Sequence, residues 1–112
     1  MDEIYIVAVK RTAIGKLGGS LKEFTGAELG GFAIKAAMEQ ANLEDNYVDQ
    51  VLMGNVIQAG NGQNPARQAA VSAGINYSVP AITVNDVCGS GLSSINLAAS
   101  LIASKQAKVV IA

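Results

Sequence analysis

The chain has 112 residues, of which 50% are hydrophobic, 15% charged and 4% aromatic, and its formal net charge is −1. This composition is that of a folded domain with an apolar core, not of a disordered chain. The near-neutral charge and the scarcity of aromatic rings argue against nucleic acid as a partner, because such proteins need a basic surface or a stacking platform for bases.

Cysteine and histidine usage limits the compartment and the chemistry. Cys88 is the only cysteine, and the chain has no histidine. A lone cysteine forms no internal disulfide, and MDEIYIVAVK lacks the basic region and cleavage site of a signal peptide. The sequence therefore predicts a reducing, cytoplasmic location. It also predicts no metal site, because the usual clusters of ligands are absent.

The first half of the chain reads as a strand followed by a helix. Ile4–Val9 is a continuous apolar run, typical of a strand covered on both faces, and the loop RTAIGKLGGSL follows it. Thr25 is predicted as an N-cap that forms a capping box with Glu28, and the helix should end near Asn42. Its apolar positions keep helical spacing and are predicted to form one buried face: Leu29, Phe32, Ala33, Ala36, Ala37 and Ala41.

The second half repeats this alternation. Val51–Ile57 reads as a strand, and Asn64 with Pro65 marks the start of a short helix that ends near Gly74. Apolar residues between positions 82 and 87 predict a third strand, and KVVIA at positions 108–112 begins a fourth.

Between the last two predicted strands, Cys88–Ala107 reads as a helix that is apolar on nearly every side. No charge occurs from Val87 to Ser104, which could indicate a membrane span, but five serines, Asn96 and two glycines lie in that stretch. Lipid tolerates such residues poorly. We therefore predict a helix buried in protein and no membrane partner.

The alternation of strands and helices predicts the α/β class. The expected order is βαβαβαβ, with a mostly parallel sheet, right-handed crossovers and helices on both faces. Two features suggest a truncated domain: the last strand ends without a polar boundary, and the helix after Cys88 has no solvent-facing side. We expect residues 1–112 to be the N-terminal segment of a longer protein.

Cys88 lies where a predicted strand ends and a helix begins, in the stretch NDVCGSGLSS. Helix amino ends and strand carboxyl ends line the ligand crevice of doubly wound sheets, and Gly89 and Gly91 leave the backbone open to a ligand. A free thiol is only about 3% thiolate at pH 7, and a helix amino end raises that fraction modestly. A nucleophilic Cys88 thus needs a base from outside these residues. The alternative is a buried cysteine that acts as a small hydrophobe, and the residues alone favour neither.

Three further patterns have ordinary explanations beside functional ones. GSGLSS imitates a dinucleotide fingerprint, but Ser94 replaces the third glycine and no acidic residue follows at the expected distance. GNGQNPARQ could cradle a phosphate, although a turn followed by a helix cap explains it better. Arg67 is the only charge in a long neutral region and is either a paired or interface residue or a merely solvated one.

Three motifs together resemble the N-terminal domain of the thiolases. They are RTAIGKLGGSL, GNVIQAGNGQNPARQAA and VNDVCGSGL, and the similarity runs along the whole chain in the same order. The character is closest to the acetyl-CoA acetyltransferases. The resemblance implies that residues 1–112 form part of a thiolase-like N-terminal domain, with the remainder of that domain and the C-terminal domain absent.

The resemblance also implies a function. Cys88 falls on the nucleophile of the family, which takes an acetyl group from acetyl-CoA, and a second acetyl-CoA then attacks it to give acetoacetyl-CoA. The Cys88 N–H would form part of an oxyanion hole. Coenzyme A thioesters would be the substrates, without a separate cofactor, and the assembly would be a homodimer or homotetramer. The activating histidine, the second cysteine and an asparagine motif of the family fall outside this chain, so the isolated segment should be inactive.

The chain departs from the family pattern at two positions. Ala13 replaces a common proline, and Asp86 stands where a basic or neutral residue is usual. A carboxylate two residues before the nucleophile would disfavour the thiolate if it pointed towards the sulfur. The competing hypotheses are a non-catalytic thiolase-like piece that acts in interaction or assembly, and a related condensing enzyme or thioesterase-like hydrolase that shares the nucleophile position.

Overall fold

Three helices and three strands follow one another in the part of the chain that the structure describes. This computed structural model describes residues 3–44 and 47–112, so the first two residues of MDEIYIVAVK lie outside the described residues. The elements are α1 (Gly26–Ala41), β1 (Gln50–Gly54), α2 (Pro65–Ser72), β2 (Ala81–Val84), α3 (Ser90–Ala103) and β3 (Val110–Ile111). The α/β class is therefore confirmed.

β1 lies at the centre of a parallel sheet with the strand order β2-β1-β3. The register aligns Leu52 of β1 with Ile82 of β2, and Val51 of β1 with Ile111 of β3. The connection from β1 to β2 contains α2, and the connection from β2 to β3 contains α3. Because these connections cross the sheet in opposite directions, right-handed crossovers place α2 and α3 on opposite faces.

Alternate residues of β1 face the two helical layers. Val51 belongs to the main buried cluster, against which Met53 packs. The other members of that cluster come largely from α1, α2 and the segments that flank them: Ile34, Met38, Val48, Ala69, Ala70, Ile75 and Val79. Leu52 is only 1% exposed and points to the opposite face, where Gly54 lies against the first turn of α3. The prediction of helices on both faces is confirmed.

Both predicted ends of α1 are confirmed. Thr25 Oγ1 accepts a hydrogen bond from the Glu28 N–H at 3.1 Å and lies 3.2 Å from the Glu28 carboxylate, to which it donates. Asn42 ends the helix in the left-handed conformation with φ 56°, which asparagine adopts more readily than most residues. These interactions satisfy backbone groups that a helix end otherwise leaves without partners.

The buried face of α1 differs from the predicted one. Gly30, Gly31, Ile34 and Met38 are its buried residues, whereas the predicted Phe32 is 52% exposed. A Cβ at Gly31 would lie 2.6 Å from Ser72 Oγ of α2, so the two helices approach through glycine backbone. Apolar spacing favoured the larger side chains and missed this contact, because a glycine face has no hydrophobic signature. The remaining predicted positions, Leu29, Ala33, Ala36, Ala37 and Ala41, are half-buried.

The strand predicted over Ile4–Val9 is wrong. These residues form no strand, and the side chains of Tyr5, Ile6, Val7 and Val9 are 68% to 74% exposed. The Val9 N–H donates to the Gln40 side chain of α1 at 2.9 Å. An apolar run indicates that a segment suits a sheet but does not specify its neighbour. In this structure β2 and β3 occupy both sides of β1.

α3 is shorter and less buried than predicted, since it covers Ser90–Ala103 instead of Cys88–Ala107. Its buried residues form one stripe, Ser90, Ser94 and Ala98, which faces the sheet. Leu92, Ile95 and Leu97 are 43% to 66% exposed. The helix is therefore covered on the sheet side alone by the described residues. Among these residues, no helix is long and apolar enough to cross a membrane.

Asp49 joins the start of β1 to the segment that leads into β3. Its Oδ2 accepts hydrogen bonds from the backbone N–H groups of Lys108 at 2.7 Å and Val109 at 3.0 Å. These two hydrogen bonds hold the pKa of the Asp49 carboxyl below its usual value, because they stabilise the charged form. The carboxylate thus fixes the register of the short outer strand.

Candidate active site

Cys88 lies at the carboxyl edge of the sheet, in the turn between β2 and α3, and its side chain is exposed. Two hydrogen bonds hold the segments after β1 and β2 side by side at this edge. The Asn55 N–H donates to the Val84 carbonyl at 2.9 Å, and the Asn85 amide donates to the Val56 carbonyl at 3.3 Å. The alternative in which Cys88 is a buried hydrophobe is therefore wrong for this structure.

The residue before Cys88 has a strained backbone. Val87 adopts φ 47°, a left-handed conformation that is a genuine outlier for a β-branched residue and costs about 1–3 kcal/mol. Its N–H donates to Asn85 Oδ1 at 3.0 Å, and the Gly89 N–H donates to the Asp86 carbonyl at 2.9 Å. Sharp, strained turns between a strand and a helix serve in other folds to expose a nucleophile.

Ser90, the first residue of α3, bonds back to this turn through its hydroxyl. Ser90 Oγ accepts a hydrogen bond from the Asp86 N–H at 2.8 Å and donates one to the Val87 carbonyl at 2.6 Å. Ser90 is only 5% exposed, so water does not compete freely for these groups. The two bonds connect the backbone on both sides of the strained residue.

Gly54 lets α3 begin directly above the end of β1. A Cβ at this position would lie 2.8 Å from the Ser90 carbonyl carbon and 2.9 Å from the Gly91 nitrogen. Both of those atoms belong to backbone, so only glycine permits this approach without a shift of the helix. The position of the Cys88 turn over the sheet thus depends on the absence of a side chain at Gly54.

The amino end of α3 has free backbone donors. Gly89 is the N-cap, and no side chain caps the helix. Within residues 3–44 and 47–112, the N–H groups of Cys88, Gly91 and Leu92 have no backbone or side-chain acceptor. Such donors at a helix amino end stabilise negative charge. They are the groups that an oxyanion next to the Cys88 sulfur would need.

The Asp86 carboxylate is held against α3. Its Oδ2 accepts a hydrogen bond from the Ser93 hydroxyl at 2.6 Å and lies beside Gly89. Asp86 and Ser93 also line a surface groove of about 340 Å³ with Asn96, Leu97 and Ser100. The groove does not include Cys88, so the sulfur stands outside it. The direction of Asp86, which the sequence left open, is thus along the helix.

The structure supports the ordinary interpretation of GNGQNPARQ. Asn64 Oδ1 accepts hydrogen bonds from the Arg67 N–H at 3.3 Å and from the Thr83 hydroxyl at 2.6 Å, and so caps α2 and ties it to β2. The half-buried Arg67 donates from Nη1 to the Tyr77 carbonyl at 3.3 Å. This loop acts as a helix cap in the structure, and Arg67 is a paired residue.

The sequence predicts Cys88 as a site residue but did not indicate the residues that hold its turn. Ser90 read as one serine among several in an apolar helix, and Gly54 read as part of a longer strand. A glycine at the carboxyl end of a buried strand is a known mark of close backbone approach and could have identified Gly54. Nothing in the sequence indicated the positive φ of Val87, because valine rarely adopts it.

The arrangement suits attack by a thiolate on a carbonyl. It offers an accessible sulfur and free N–H donors beside it, but this chain supplies no histidine to act as base. Among the described residues, no group of three or more histidine, cysteine or acidic side chains could hold a metal ion. An arrangement of this kind has the features of the nucleophile side of an acyl-transfer site, and its proton transfers would need further groups.

Comparison with known proteins identifies the family of this chain. The family model described as "Thiolase, N-terminal domain" matches residues 4–112. The chain is 51% identical to acetyl-CoA acetyltransferase of Cupriavidus necator, 55% to probable acetyl-CoA acetyltransferase of Mycobacterium tuberculosis and 50% to acetyl-CoA acetyltransferase of Escherichia coli. Each match covers 100% of this chain and 28% of the relative. The chain therefore belongs to the thiolase family and matches the model of its N-terminal domain.

Proposed function

We propose that this chain is part of an acetyl-CoA acetyltransferase in which Cys88 carries the acetyl group. The observation that carries the proposal is the exposed sulfur at a strained turn, beside N–H groups that have no acceptor among the described residues. The relatives that match this chain bear the name acetyl-CoA acetyltransferase. The chain spans about 28% of the length of these relatives, and the proposal requires further catalytic groups beyond these 112 residues.

The proposed reaction has two steps. In the first, the Cys88 thiolate attacks the thioester carbonyl of acetyl-CoA, the C–S bond to coenzyme A breaks, and coenzyme A leaves and takes up a proton. In the second, another acetyl-CoA loses an α-proton to a base, and the resulting carbanion attacks the acetyl-cysteine. The C–S bond to Cys88 then breaks, which restores the thiolate and releases acetoacetyl-CoA. No redox change occurs in either step.

Backbone donors would stabilise each tetrahedral intermediate. Negative charge develops on the carbonyl oxygen in both steps, and the Cys88 N–H with the first-turn donors of α3 is placed at that edge. Removal of a single donor of this kind typically costs about 10²–10³ in kcat. The chain contains no histidine and no second cysteine, and the proposal places the bases that activate Cys88 and deprotonate the second substrate on residues outside it.

Acetyl transfer to Cys88 is tested directly in the full-length protein. Incubation with acetyl-CoA without a second acceptor, followed by acidic quenching and digestion, should give a Cys88 peptide heavier by one acetyl group. The Cys88→Ala variant should show no such adduct. Absence of the adduct, or an adduct that survives in Cys88→Ala, overturns the proposal. Ser100→Ala, which removes a hydroxyl that contacts only the Asn96 carbonyl, is the matched control.

We also propose acyl-CoA thioesters as the substrates, a homodimer or homotetramer as the assembly and the cytoplasm as the location. The substrates and the assembly rest on the family resemblance, and the location rests on the lone cysteine, which forms no internal disulfide. Light scattering coupled to size-exclusion chromatography measures the oligomeric mass, and a monomeric full-length protein would contradict the assembly. Fractionation of the source cells measures the location, and the protein in a secreted or membrane fraction would contradict the cytoplasm.

A second candidate function is a non-catalytic piece that acts in assembly. The exposed apolar side chains of Leu92, Ile95 and Leu97 on α3 favour it, because such a surface gains free energy when a partner covers it. Condensation activity of the full-length protein that is lost in Cys88→Ala excludes this function. Binding of the 112-residue chain to a complementary chain, with no acetylation of Cys88 in the full-length protein, supports it.

A further inference from the structure

The Ser90 hydroxyl bonds to the backbone of the Cys88 turn, whereas the Ser93 hydroxyl reaches that turn through the Asp86 carboxylate. The hydroxyls of Ser94 and Ser100 donate to carbonyls four residues earlier in the helix, those of Ser90 and Asn96. The Ser90 hydroxyl instead reaches out of the helix to the Cys88 turn, at 2.8 Å from the Asp86 nitrogen and 2.6 Å from the Val87 oxygen. The hydroxyl thus accepts from the Asp86 N–H and donates to the Val87 carbonyl.

These two hydrogen bonds fix the conformation of the turn. A serine hydroxyl has a single proton, and in Ser90 that proton is committed to the Val87 carbonyl. The Val87 carbonyl also accepts the Ser90 N–H at 3.2 Å, so one residue holds it twice. Without the hydroxyl, the Asp86 N–H loses its acceptor and the Val87 carbonyl loses one of its two donors, so the positive φ of Val87 is held less firmly. Cys88 follows Val87 directly and would move with it.

Ser90 packs closely against the end of β1. Ser90 is 5% exposed and rests on Gly54, where an added Cβ would lie 2.9 Å from the Ser90 Cβ. The hydroxyl is therefore anchored between the end of β1 and the turn. The Ser90 hydroxyl therefore links the position of Cys88 to the position of the carboxyl end of β1.

We infer that Ser90 is a positioning residue for Cys88: its hydroxyl holds Val87 in the conformation that presents the Cys88 sulfur and N–H together to a thioester carbonyl. This inference rests on the proposed function of Cys88. Ser90 itself touches neither substrate nor sulfur in this scheme and acts through the Asp86 and Val87 peptide groups. The consequence is specific to acyl transfer, which needs the sulfur and the oxyanion donor in one geometry.

The test compares two reactions of the same sulfur in the full-length protein. Acetylation by acetyl-CoA needs both the sulfur and the oxyanion donors, whereas alkylation by iodoacetamide needs only an accessible thiolate. In Ser90→Ala, we expect the maximal acetylation rate of Cys88 to fall by about 10- to 100-fold at an unchanged half-saturating acetyl-CoA concentration. We expect the alkylation rate to change by less than about threefold, because the thiolate stays accessible.

The matched control is Ser94→Ala, which also removes a buried, hydrogen-bonded α3 hydroxyl but leaves the turn intact. Its acetylation rate should stay within about threefold of the wild-type rate, because the geometry of the turn is retained. An equal loss in Ser94→Ala and Ser90→Ala overturns the inference, since it indicates a general packing effect. So does equal slowing of acetylation and alkylation in Ser90→Ala.

A second pair of variants covers the case in which Ser90→Ala does not fold. Glycine adopts positive φ without strain, so in a Val87→Gly background the hydroxyl has less to hold in place. Val87→Gly and Val87→Gly/Ser90→Ala should then acetylate within about threefold of each other. A loss of tenfold or more in the double variant overturns the inference.

The two proposals fail in distinguishable ways. If wild-type Cys88 takes up no acetyl group, the proposed function is overturned, and the inference about Ser90 with it. If the wild type is acetylated and folded Ser90→Ala is acetylated at the same rate, the Ser90 inference alone is overturned.

Discussion

A methyl group at Gly54 is the sharpest test of how the Cys88 turn is built. In Gly54→Ala the new Cβ would stand 2.8 Å from the Ser90 carbonyl carbon, and ordinary contact begins at 3.4 Å, so the first turn of α3 must move by about 0.6 Å. A misplacement of about 1 Å at a reacting group can cost 10²-fold in rate. We therefore expect the acetylation of Cys88 to slow on the order of tenfold.

The stability of the Gly54→Ala variant should fall as well, by about 1–3 kcal/mol, because extra volume at a packed site forces backbone shifts. The assays are the single-turnover acetylation of Cys88 in the full-length protein and its urea denaturation. Gly26→Ala is the control, since its Cβ would meet nothing nearer than Asn55 Nδ2 at 3.8 Å. If Gly54→Ala acetylates and unfolds as Gly26→Ala does, the close approach of β1 and α3 does not position the turn.

Three further substitutions test the fold around the site. Thr25→Ala removes the N-cap of α1 and should lower the free energy of unfolding by about 1 kcal/mol in urea denaturation, without slowing acetylation of Cys88. Gly31→Ala places a Cβ 2.6 Å from Ser72 Oγ. It should lower the free energy of unfolding by about 1–3 kcal/mol relative to Gly26→Ala. The lowered pKa of Asp49 stabilises the fold above its usual value of 3.8, and this contribution is lost as the pH falls through the native pKa. Asp49→Asn should therefore lose less stability than the wild type between about pH 5 and pH 2, as thermal unfolding at each pH would measure; an identical pH dependence would contradict the role of these hydrogen bonds.

Helix ends proved predictable because their causes are local. Thr25 caps α1 through a residue three positions away, and Asn64 caps α2 in the same manner, with Pro65 at the first helical position. Each interaction lies within a few residues of sequence, so the pattern alone identifies it. The place of Cys88 between β2 and α3 was predictable for a similar reason, since it stands at a boundary between two predictable elements.

The features that escaped prediction depend on distant residues. The buried face of α1 includes Gly30 and Gly31 because α2 packs there, and Gly54 matters because α3 begins above it. The fate of Ile4–Val9 depends on which strands occupy the neighbouring positions of the sheet. Apolar spacing reports the tendency of a segment to be buried, but the partner that buries it is set by tertiary structure.

The exposed run Ile4–Val9 has a practical consequence for anyone who works with these 112 residues alone. It combines β-branched and aromatic side chains with no charge, proline or glycine, which is the composition of segments that stack into amyloid-like sheets. In the described part of the chain, β2 and β3 also leave the outer edges of the sheet without a neighbour, and such edges recruit extended segments from other molecules. Expressed by itself, the 112-residue chain should aggregate with a steep dependence on concentration. The Ile6→Lys substitution should delay that aggregation.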